Sequence, residues 1–576
     1  MPLHELLNSA FERVFQRTQR HWVRLTALAA AAFVGSAALA QIAPVPLPPP
    51  TDLTRPQAPI RAPSTSVRVA PSEESVLPVN ADTTMIDIAT IEVDGVTVYG
   101  PAELAGDYSD LIGHHVALAE LFRAAARIEA HYRRDGFVLS RAIVPEQEAA
   151  GGRFHIRVVE GYVSDVAVTG EPGSSAALIR AYLAPVTRDR PVNIDDIERA
   201  LLLVDGLPGV EGHGVLTPAT GIPGAARLVV DVHRKQFDAF ATVNNRGSRF
   251  AGPITGTAGF DINLIGGGGH LGGLWFTTFN REQNYFELAA DARVGSSGLR
   301  LRGWTSYTTS HPGSILAALD ISSHSFVGGI GADYPLLLTR STSISAHGSF
   351  EITEDRTDIL GSPDSRDRQR IFRFGFSAQA RDPWQGVSTV TVTAHKGLDI
   401  LDATHDGEAI PQSRLGGHSD FFKLTGTASR FQPLAAAPWG GLALQLSVAG
   451  QYATDRLLSL EQFHVGGEAF GRGFNPAQYS GDDGAAADAE IQLTHLRPIG
   501  PFTSQQLYAF FDAASVHDRG IAGWTQIDSF GGGIRADLGR HLSGQFELAV
   551  PYHDGRQVGA SLDTGVQAFF SVTARY

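Results

Sequence analysis

The stretch Phe286–Val294, FELAADARV, decides the fold, because its side chains change character at every second residue. Its large apolar residues fall on even numbers, and its charged residues fall on odd numbers. A period of two describes a β-strand whose two faces meet different solvents. Leu442–Val448 and Val566–Tyr576 repeat this alternation, with one face almost free of charge. Because such strands suit lipid outside and water inside, residues 235–576 are predicted to form a transmembrane antiparallel β-barrel.

The composition of the 576-residue chain agrees with a barrel and excludes several other classes of protein. The mean hydropathy is −0.04, and beyond the N-terminus no stretch is long and apolar enough for a membrane-spanning helix. The net charge of −14 argues against nucleic acid as a partner. The absence of cysteine excludes both disulfides and thiolate metal sites.

The N-terminal 84 residues are predicted to lie outside the folded domains. The apolar run Leu25–Leu39 follows three arginines and ends in an A-x-A pattern at Ala40, which predicts a secretory signal peptide over residues 1–40. An anchoring helix is the alternative, but the run is short for a membrane span. Residues 41–84 are rich in proline and are predicted to form an extended or disordered linker. The other interpretation is a segment that threads into the barrel or binds a partner.

Two small α/β modules are predicted ahead of the barrel, over residues 85–162 and 163–234. In the first module, Met85–Val93 predicts a strand and Ala117–Asp135 carries the apolar stripe of an amphipathic helix. In the second, Ala176–Leu183 predicts a short helix, and Asn193 is the expected N-cap of another. The remaining predicted strands of the two modules are Leu139–Val144, Phe154–Val159, Val163–Val168 and Leu228–Val232. The fold class is therefore α+β modules followed by a barrel.

Seven motifs from about residue 85 to the C-terminus resemble the outer-membrane translocators of two-partner secretion, the hemolysin-activator type within the Omp85 superfamily. Each motif is modest alone, whereas their order and spacing together are specific. They are YRRDGFVLSRAIVPEQ (Tyr132–Gln147), VVEGYVSDVAVTG (Val158–Gly170), LLLVDGLPGV (Leu201–Val210), VNNRGSRFAGPITG (Val243–Gly256), GADYPLL (Gly331–Leu337), GGEAFGRGF (Gly466–Phe474) and LYAFFDAASV (Leu507–Val516).

The resemblance implies an architecture and a function. The modules would be polypeptide-transport-associated (POTRA) domains in the periplasm, and the barrel would have about sixteen strands in the outer membrane. A glycine-rich loop near residues 466–484 would fold into the barrel. The implied activity is export of an unfolded exoprotein, the secreted partner that carries an N-terminal secretion domain. Transport would be driven by folding of this cargo outside the cell, since no nucleotide is available.

The segment Gly471-Arg472-Gly473-Phe474 is the strongest candidate for a functional site. The resemblance implies that Arg472 meets a carboxylate on the inner wall, and Asp512 is the residue that matches. Asp512 shares its strand parity with Tyr508 and Phe510, and a lone carboxylate is costly on the lipid face, so this parity is expected to face the lumen. A bidentate arginine–carboxylate pair would pin the loop, with Gly471 and Gly473 allowing close approach of the backbone. From spacing alone, an exposed arginine and an unrelated aspartate remain the alternative.

The end of the chain is a second candidate site. Tyr576 and Phe570 share the lipid-facing parity of the last strand, where a terminal aromatic residue can anchor at the membrane interface. Such an ending resembles the signal read by the barrel assembly machinery, which would then be a partner during biogenesis, alongside the lipid of the outer membrane. An ordinary interfacial residue is the alternative.

Other motifs predict no cofactor, no metal and no enzymatic activity. Gly267–Gly272 satisfies G-x-G-x-x-G, but a strand follows where a nucleotide site requires a helix. Asp482, Asp483 and Asp488 could hold Ca²⁺, but their spacing is not that of an EF-hand loop. The chain has no H-E-x-x-H, G-x-S-x-G or P-loop motif.

Three other functions remain possible at this point. One is an outer-membrane protein assembly factor of the same superfamily, which a two-module array and the first-hairpin motif disfavour. A second is a solute channel, which would need neither the modules nor the loop around Arg472. A third is a barrel-borne surface enzyme, for which residues 41–234 leave no room. The neighbouring gene would separate these functions, because a large secreted β-helical protein would indicate export.

Overall fold

A computed structural model of the chain describes residues 68–69, 77–78, 80–148, 150–219, 221–265, 267–495, 497–554 and 565–576. The predicted signal peptide over residues 1–40 and most of the predicted linker lie outside these residues. Within them, an α/β region precedes a closed antiparallel barrel of sixteen strands, which confirms the predicted fold class. None of the helices in the described part of the chain is both long and apolar enough to cross a bilayer.

The first α/β unit packs two helices against small sheets. Its main helix buries the predicted apolar stripe, including Leu121, Ile128 and Tyr132, against Phe154 and Ile156 of the sheet. Gly136, at φ +92°, follows the end of this helix in a conformation that favours glycine. The elements of this unit, together with a preceding short strand β1, are β1 (Arg68–Val69), β2 (Met85–Asp87), β3 (Thr90–Asp94), α1 (Pro101–Ala105), β4 (His115–Ala117), α2 (Leu118–Arg134), β5 (Arg141–Ile143) and β6 (Arg153–Val159).

The stretch Met85–Val93 forms two strands instead of the one predicted. Strand β2 pairs with β4, whereas β3 pairs in parallel with β6 in a separate three-stranded sheet. Ile88, between them, is buried in the unit's core. The apolar pattern of this stretch predicts strand structure, but it does not indicate that the two ends of the stretch belong to different sheets.

The second α/β unit has a four-stranded sheet of order β1, β8 (Val210–Pro218), β9 (Ala225–Arg234), β7 (Tyr162–Gly170), so a strand from the proline-rich segment completes it. Asn193 caps helix α4 (Ile194–Asp205) as predicted, its side chain accepting a hydrogen bond of 3.0 Å from the backbone N–H of Asp195. Strand β8 was not predicted. Its Gly214 lies so close to α4 that a Cβ there would be 2.6 Å from Leu201. The elements are β7 (Tyr162–Gly170), α3 (Ala176–Leu183), α4 (Ile194–Asp205), β8 (Val210–Pro218) and β9 (Ala225–Arg234).

The barrel closes where its first strand pairs with its last, from Phe240–Arg575 to Asn244–Ser571. Each other strand pairs with its neighbour in antiparallel register. The sixteen barrel strands are β10 (Phe237–Asn244), β11 (Thr255–Ile265), β12 (Gly269–Thr278), β13 (Gln283–Val294), β14 (Leu299–Ser310), β15 (Ser322–Leu338), β16 (Thr342–Ile359), β17 (Ser362–Arg381), β18 (Val387–Gly397), β19 (Phe422–Ala437), β20 (Gly440–Ala453), β23 (Asp483–His495), β24 (Phe502–His517), β25 (Thr525–Leu538), β26 (Leu542–Asp554) and β27 (Gln567–Arg575). Two short strands between β20 and β23, namely β21 (Phe463–Val465) and β22 (Tyr479–Gly481), pair with each other.

Side-chain exposure follows the predicted parity. Leu507 and Phe511 on one face of β24 are 55% and 50% exposed, whereas Tyr508, Phe510 and Asp512 on the other face are buried. The exposed face forms an apolar belt around the barrel, and the buried face looks into the lumen. The one carboxylate of β24, Asp512, therefore lies on the lumenal face of this strand.

The second α/β unit is attached to the rim of the barrel at the end where the chain enters it. Glu198 of α4 forms an ion pair of 3.3 Å with Arg340, in the turn between β15 and β16. Burial raises the pKa of Glu198 above its usual range, and the nearby Arg340 opposes that shift. Arg293, on the lumenal face of β13, donates a 2.9 Å hydrogen bond to the carbonyl of Gly206 at the end of α4. The unit is thus held beside the opening of the lumen.

Candidate functional site

The connection between β20 and β23, residues 454–482, folds into the barrel; it is called the inward loop below. Val465 and Phe474 of this loop are buried against Ala514, Val516 and Ile527, which lie on the lumenal face of β24 and β25. Because these wall residues would otherwise face water, the contact stabilises the loop inside the lumen. The inward loop therefore lies in the lumen, against the inner face of the wall.

Arg472, near the tip of the inward loop, is buried against Asp512 on the barrel wall. Its Nη2 and Nε donate to the carboxylate of Asp512 at 3.0 and 3.3 Å. The backbone N–H groups of Arg472 and Gly471 donate to the same carboxylate at 2.8 and 3.3 Å. Ser529 of β25 donates a further hydrogen bond of 3.1 Å, so Asp512, which has no solvent exposure, is fully hydrogen-bonded.

Two further carboxylates surround the same guanidinium group. Arg472 Nη1 donates to Glu490 at 2.8 Å, and Nη2 contacts Asp488. The guanidinium carbon lies 3.6 Å from the centroid of the Phe510 ring, a cation–π geometry. All three nitrogen atoms of the Arg472 guanidinium group therefore have carboxylate partners. The compact ammonium group of a lysine could not reach these partners in the same geometry. We refer to the contacts of Arg472 with Asp512, Asp488 and Glu490 as the tip anchor.

The residues on either side of Arg472 allow this close approach. A Cβ on Gly473 would lie 2.7 Å from the backbone nitrogen of Pro551 in β26, so only glycine fits without movement of the wall. Gly471 has a φ of +97°, which favours glycine, and Phe474 is buried. The structure thus brings together all five residues that the sequence singled out around Arg472, while their role in transport stays a prediction.

Sequence reasoning did not find Glu490, Asp488 or Phe510 as partners of Arg472. Phe510 was placed on the lumenal parity of β24, but its ring was not assigned to the guanidinium. The available signal was strand parity, because Asp488 and Glu490 share one face of β23 and pair across from Asp512 and Phe510. These contacts depend on the register between β23 and β24, and the sequence of one strand alone does not determine that register.

The three aspartates considered for Ca²⁺ have arginine partners instead. Asp482 pairs with Arg414, Asp483 with Arg519, and Asp488 with Arg472. Gly267 and Gly268 form a turn, and the rest of Gly267–Gly272 belongs to strand β12. Phe570 of β27 is 38% exposed, and Tyr576, which follows the last residue of this strand, is 75% exposed. Their role as an assembly signal stays a prediction.

Comparison with known protein families places these features in context. The profile of the haemolysin secretion/activation proteins ShlB/FhaC/HecB matches residues 228–536, more than half of the chain. The profile of the ShlB-type POTRA domain matches residues 86–161, which hold the first α/β unit. The matched ranges include the barrel strands that carry the tip anchor.

Individual relatives are similar over most of their length. The heme/hemopexin transporter protein HuxB of Haemophilus influenzae (strain Rd) is 22% identical over 452 residues, which cover 75% of this chain and 77% of HuxB. The outer membrane transporter CdiB of Dickeya dadantii is 24% identical over 441 residues, which cover 73% of this chain and 74% of CdiB.

Solved structures share the fold. CdiB from Escherichia coli superposes with a TM-score of 0.72 at 18% identity, covering 87% of this chain and 92% of that protein. CdiB from Acinetobacter baumannii superposes with a TM-score of 0.64 at 15% identity, covering 99% of this chain and 98% of that protein. At these identities the superpositions report on architecture.

Proposed function

The chain belongs to the haemolysin secretion/activation family of outer-membrane transporters, and we propose that it exports an unfolded partner exoprotein through its barrel once the inward loop has left the wall. The protein lies in the outer membrane with its α/β region in the periplasm. The tip anchor is the single observation that carries the proposal. It joins a loop that lies in the lumen to the wall, and release of Arg472 from the wall is proposed to help open a path.

The α/β region is proposed to receive the cargo. It is held beside the lumen through the ion pair of Glu198 with Arg340. Some edges of its small sheets, such as β5, have no further strand partner among the described residues, and an extended chain could add to such an edge as a strand. The cargo proposed here is a secreted exoprotein whose N-terminal secretion domain binds this region.

Two further partners follow from the surface of the barrel. The exposed apolar belt, represented by Leu507 and Phe511, is proposed to contact outer-membrane lipid. The exposed C-terminal residue Tyr576, with Phe570 on the same face of β27, is proposed to be read by the barrel assembly machinery during insertion. We propose no enzymatic activity and no cofactor, because folding of the cargo outside the cell supplies the driving force.

The proposal is tested by replacing either member of the tip anchor. Arg472→Ala and Asp512→Ala should each leave a folded, heat-modifiable barrel in the outer membrane and strongly reduce secretion of the exoprotein, because export is proposed to need a loop that docks on the wall and is then released, and either variant removes the docked state. The double variant should be little worse than either single variant, because partners in one contact are not additive. Near-normal secretion by both single variants, at equal amounts of folded barrel, would refute the proposed role of the anchor.

A further inference from the structure

A second cluster of buried charges lies in the lumen, at the other end of the inward loop. Glu461, in the limb of the loop that leaves β20, is 5% exposed. Its carboxylate forms ion pairs with Lys423 of β19 at 2.7 Å and with Arg373 of β17 at 3.0 Å. Both cations are wall residues. The sign of the charges is opposite to that of the tip anchor, where the loop supplies the cation and the wall supplies the carboxylates.

The backbone of the loop is held at the same place. Lys423 Nζ donates to the carbonyl oxygen of Glu461 at 2.7 Å, so one ammonium group binds both the main chain and the side chain of this residue. The Gln451 amide of β20 donates to the carbonyls of Glu461 and Asp482, each at 3.0 Å, and so joins the two limbs of the loop. Lys423 is itself only 6% exposed.

The two sets of contacts engage different parts of the wall. Arg373 and Lys423 lie on the eighth and tenth strands in the order around the barrel, whereas Asp512 lies on the thirteenth. Lys423 is the second residue of β19, where this strand leaves the connection from β18, and Asp512 lies in the middle of β24. The two sets of contacts share no residue. The contacts of Glu461 and those of Arg472 are therefore separate attachments of the loop.

We infer that Glu461, with Lys423 and Arg373, forms a second anchor of the inward loop, which must also release before the lumen opens fully. Glu461 is a positioning residue that holds the base of the loop while Arg472 holds its tip. The inference rests on the proposed function, in which the loop closes the pore. It adds that the contacts of Glu461 stabilise the closed state independently of the tip anchor.

The surroundings of Arg373 provide a matched control. Arg373 also contacts Glu351, which lies on β16 and belongs to the wall. The four charged groups of the cluster balance, with two carboxylates and two cations. Glu461→Gln and Glu351→Gln each remove one negative charge from this cluster with little change of volume. Only the first substitution removes a contact between the loop and the wall.

The experiment records the ion conductance of the purified full-length variants in planar bilayers. Glu461→Gln should raise the ratio of open to closed states by about tenfold or more, as expected for loss of a charge-assisted hydrogen bond. Glu351→Gln should stay close to the wild-type ratio. Combining Glu461→Gln with Arg472→Ala should multiply the two single effects, because the contacts share no partner. The effects of Glu461→Gln and Lys423→Met should not multiply in the double variant, because these two residues belong to the same contact.

Three results would overturn the inference. The first is a wild-type open ratio for folded Glu461→Gln, and the second is an equal increase for Glu351→Gln, which would indicate a general weakening of the wall. The third is a double variant with Arg472→Ala that opens no more than Arg472→Ala alone. If Glu461→Gln does not fold, Lys423→Met applies the same test from the wall side, with the same outcomes. Arg472→Ala alone should raise the ratio of open to closed states whether or not Glu461 is a second anchor. A wild-type ratio for Arg472→Ala would therefore count against the proposed function instead.

Discussion

Replacing Arg472 by lysine tests whether the fork of the guanidinium group, and not its charge alone, closes the pore. Lysine keeps the positive charge among Asp512, Asp488 and Glu490, but it cannot donate from three nitrogen atoms spread in one plane. It also loses the guanidinium group that lies 3.6 Å from the centroid of Phe510. Loss of one or two charge-assisted hydrogen bonds costs about 2–4 kcal/mol. The ratio of closed to open states should therefore fall by about 30- to 1,000-fold.

The assay is the open probability of the purified protein in planar bilayers, with Arg535→Lys as the matched control. Arg535 belongs to β25 and pairs with Glu490 at 2.6 Å, so this control makes the same substitution in the same cluster without touching the loop. Arg535→Lys should leave the open probability close to the wild-type value. A wild-type open probability for Arg472→Lys would refute the requirement for the fork. Equal opening by Arg535→Lys would show that the wall cluster, and not the attachment of the loop, sets the closed state.

The remaining predictions concern the separate parts of the chain. Residues 235–576 alone should still insert into bilayers and conduct ions, because the barrel closes on itself, but they should secrete no exoprotein. Full secretion without the α/β region would remove its role as a receptor. Deletion of Tyr576 should lower the amount of heat-modifiable barrel without lowering secretion per folded molecule. Normal folding with lost secretion would assign Tyr576 to transport instead.

Strand identity and the facing of side chains could be predicted because they depend on local alternation. Strand parity alone assigns Leu507 and Phe511 to the outer face and Tyr508 and Asp512 to the lumenal face, because a lone carboxylate is costly on the lipid side. The same reasoning missed β8, in which Gly212 and Gly214 interrupt the apolar pattern. These glycines are needed because α4 packs directly over the strand: a Cβ on Gly214 would lie 2.6 Å from Leu201. Tertiary packing thus overrode a weak local signal.

The candidate site was predictable in part, and only with the resemblance to a known family. That resemblance paired Arg472 with Asp512, but it did not supply Glu490, which lies on a neighbouring strand. Glu461 and Lys423 were missed entirely. Their contact joins a loop to a strand that precedes it in the chain by 38 residues, and it depends on how far the loop reaches into the lumen. Neither residue has a local pattern that indicates burial, because buried ion pairs are specified by three-dimensional proximity.

Displacement of the inward loop during export is the central claim, and labelling of a single thiol tests it most directly. Ser529 is fully buried beneath the loop, and the chain has no cysteine of its own, so Ser529→Cys introduces one unique thiol. Thr427, which shares the lumenal parity of Lys423 and is exposed, gives the control variant Thr427→Cys. A membrane-impermeant thiol reagent should label the control at all times and position 529 only while exoprotein is being secreted. Secretion at the wild-type rate with position 529 still protected would contradict the account.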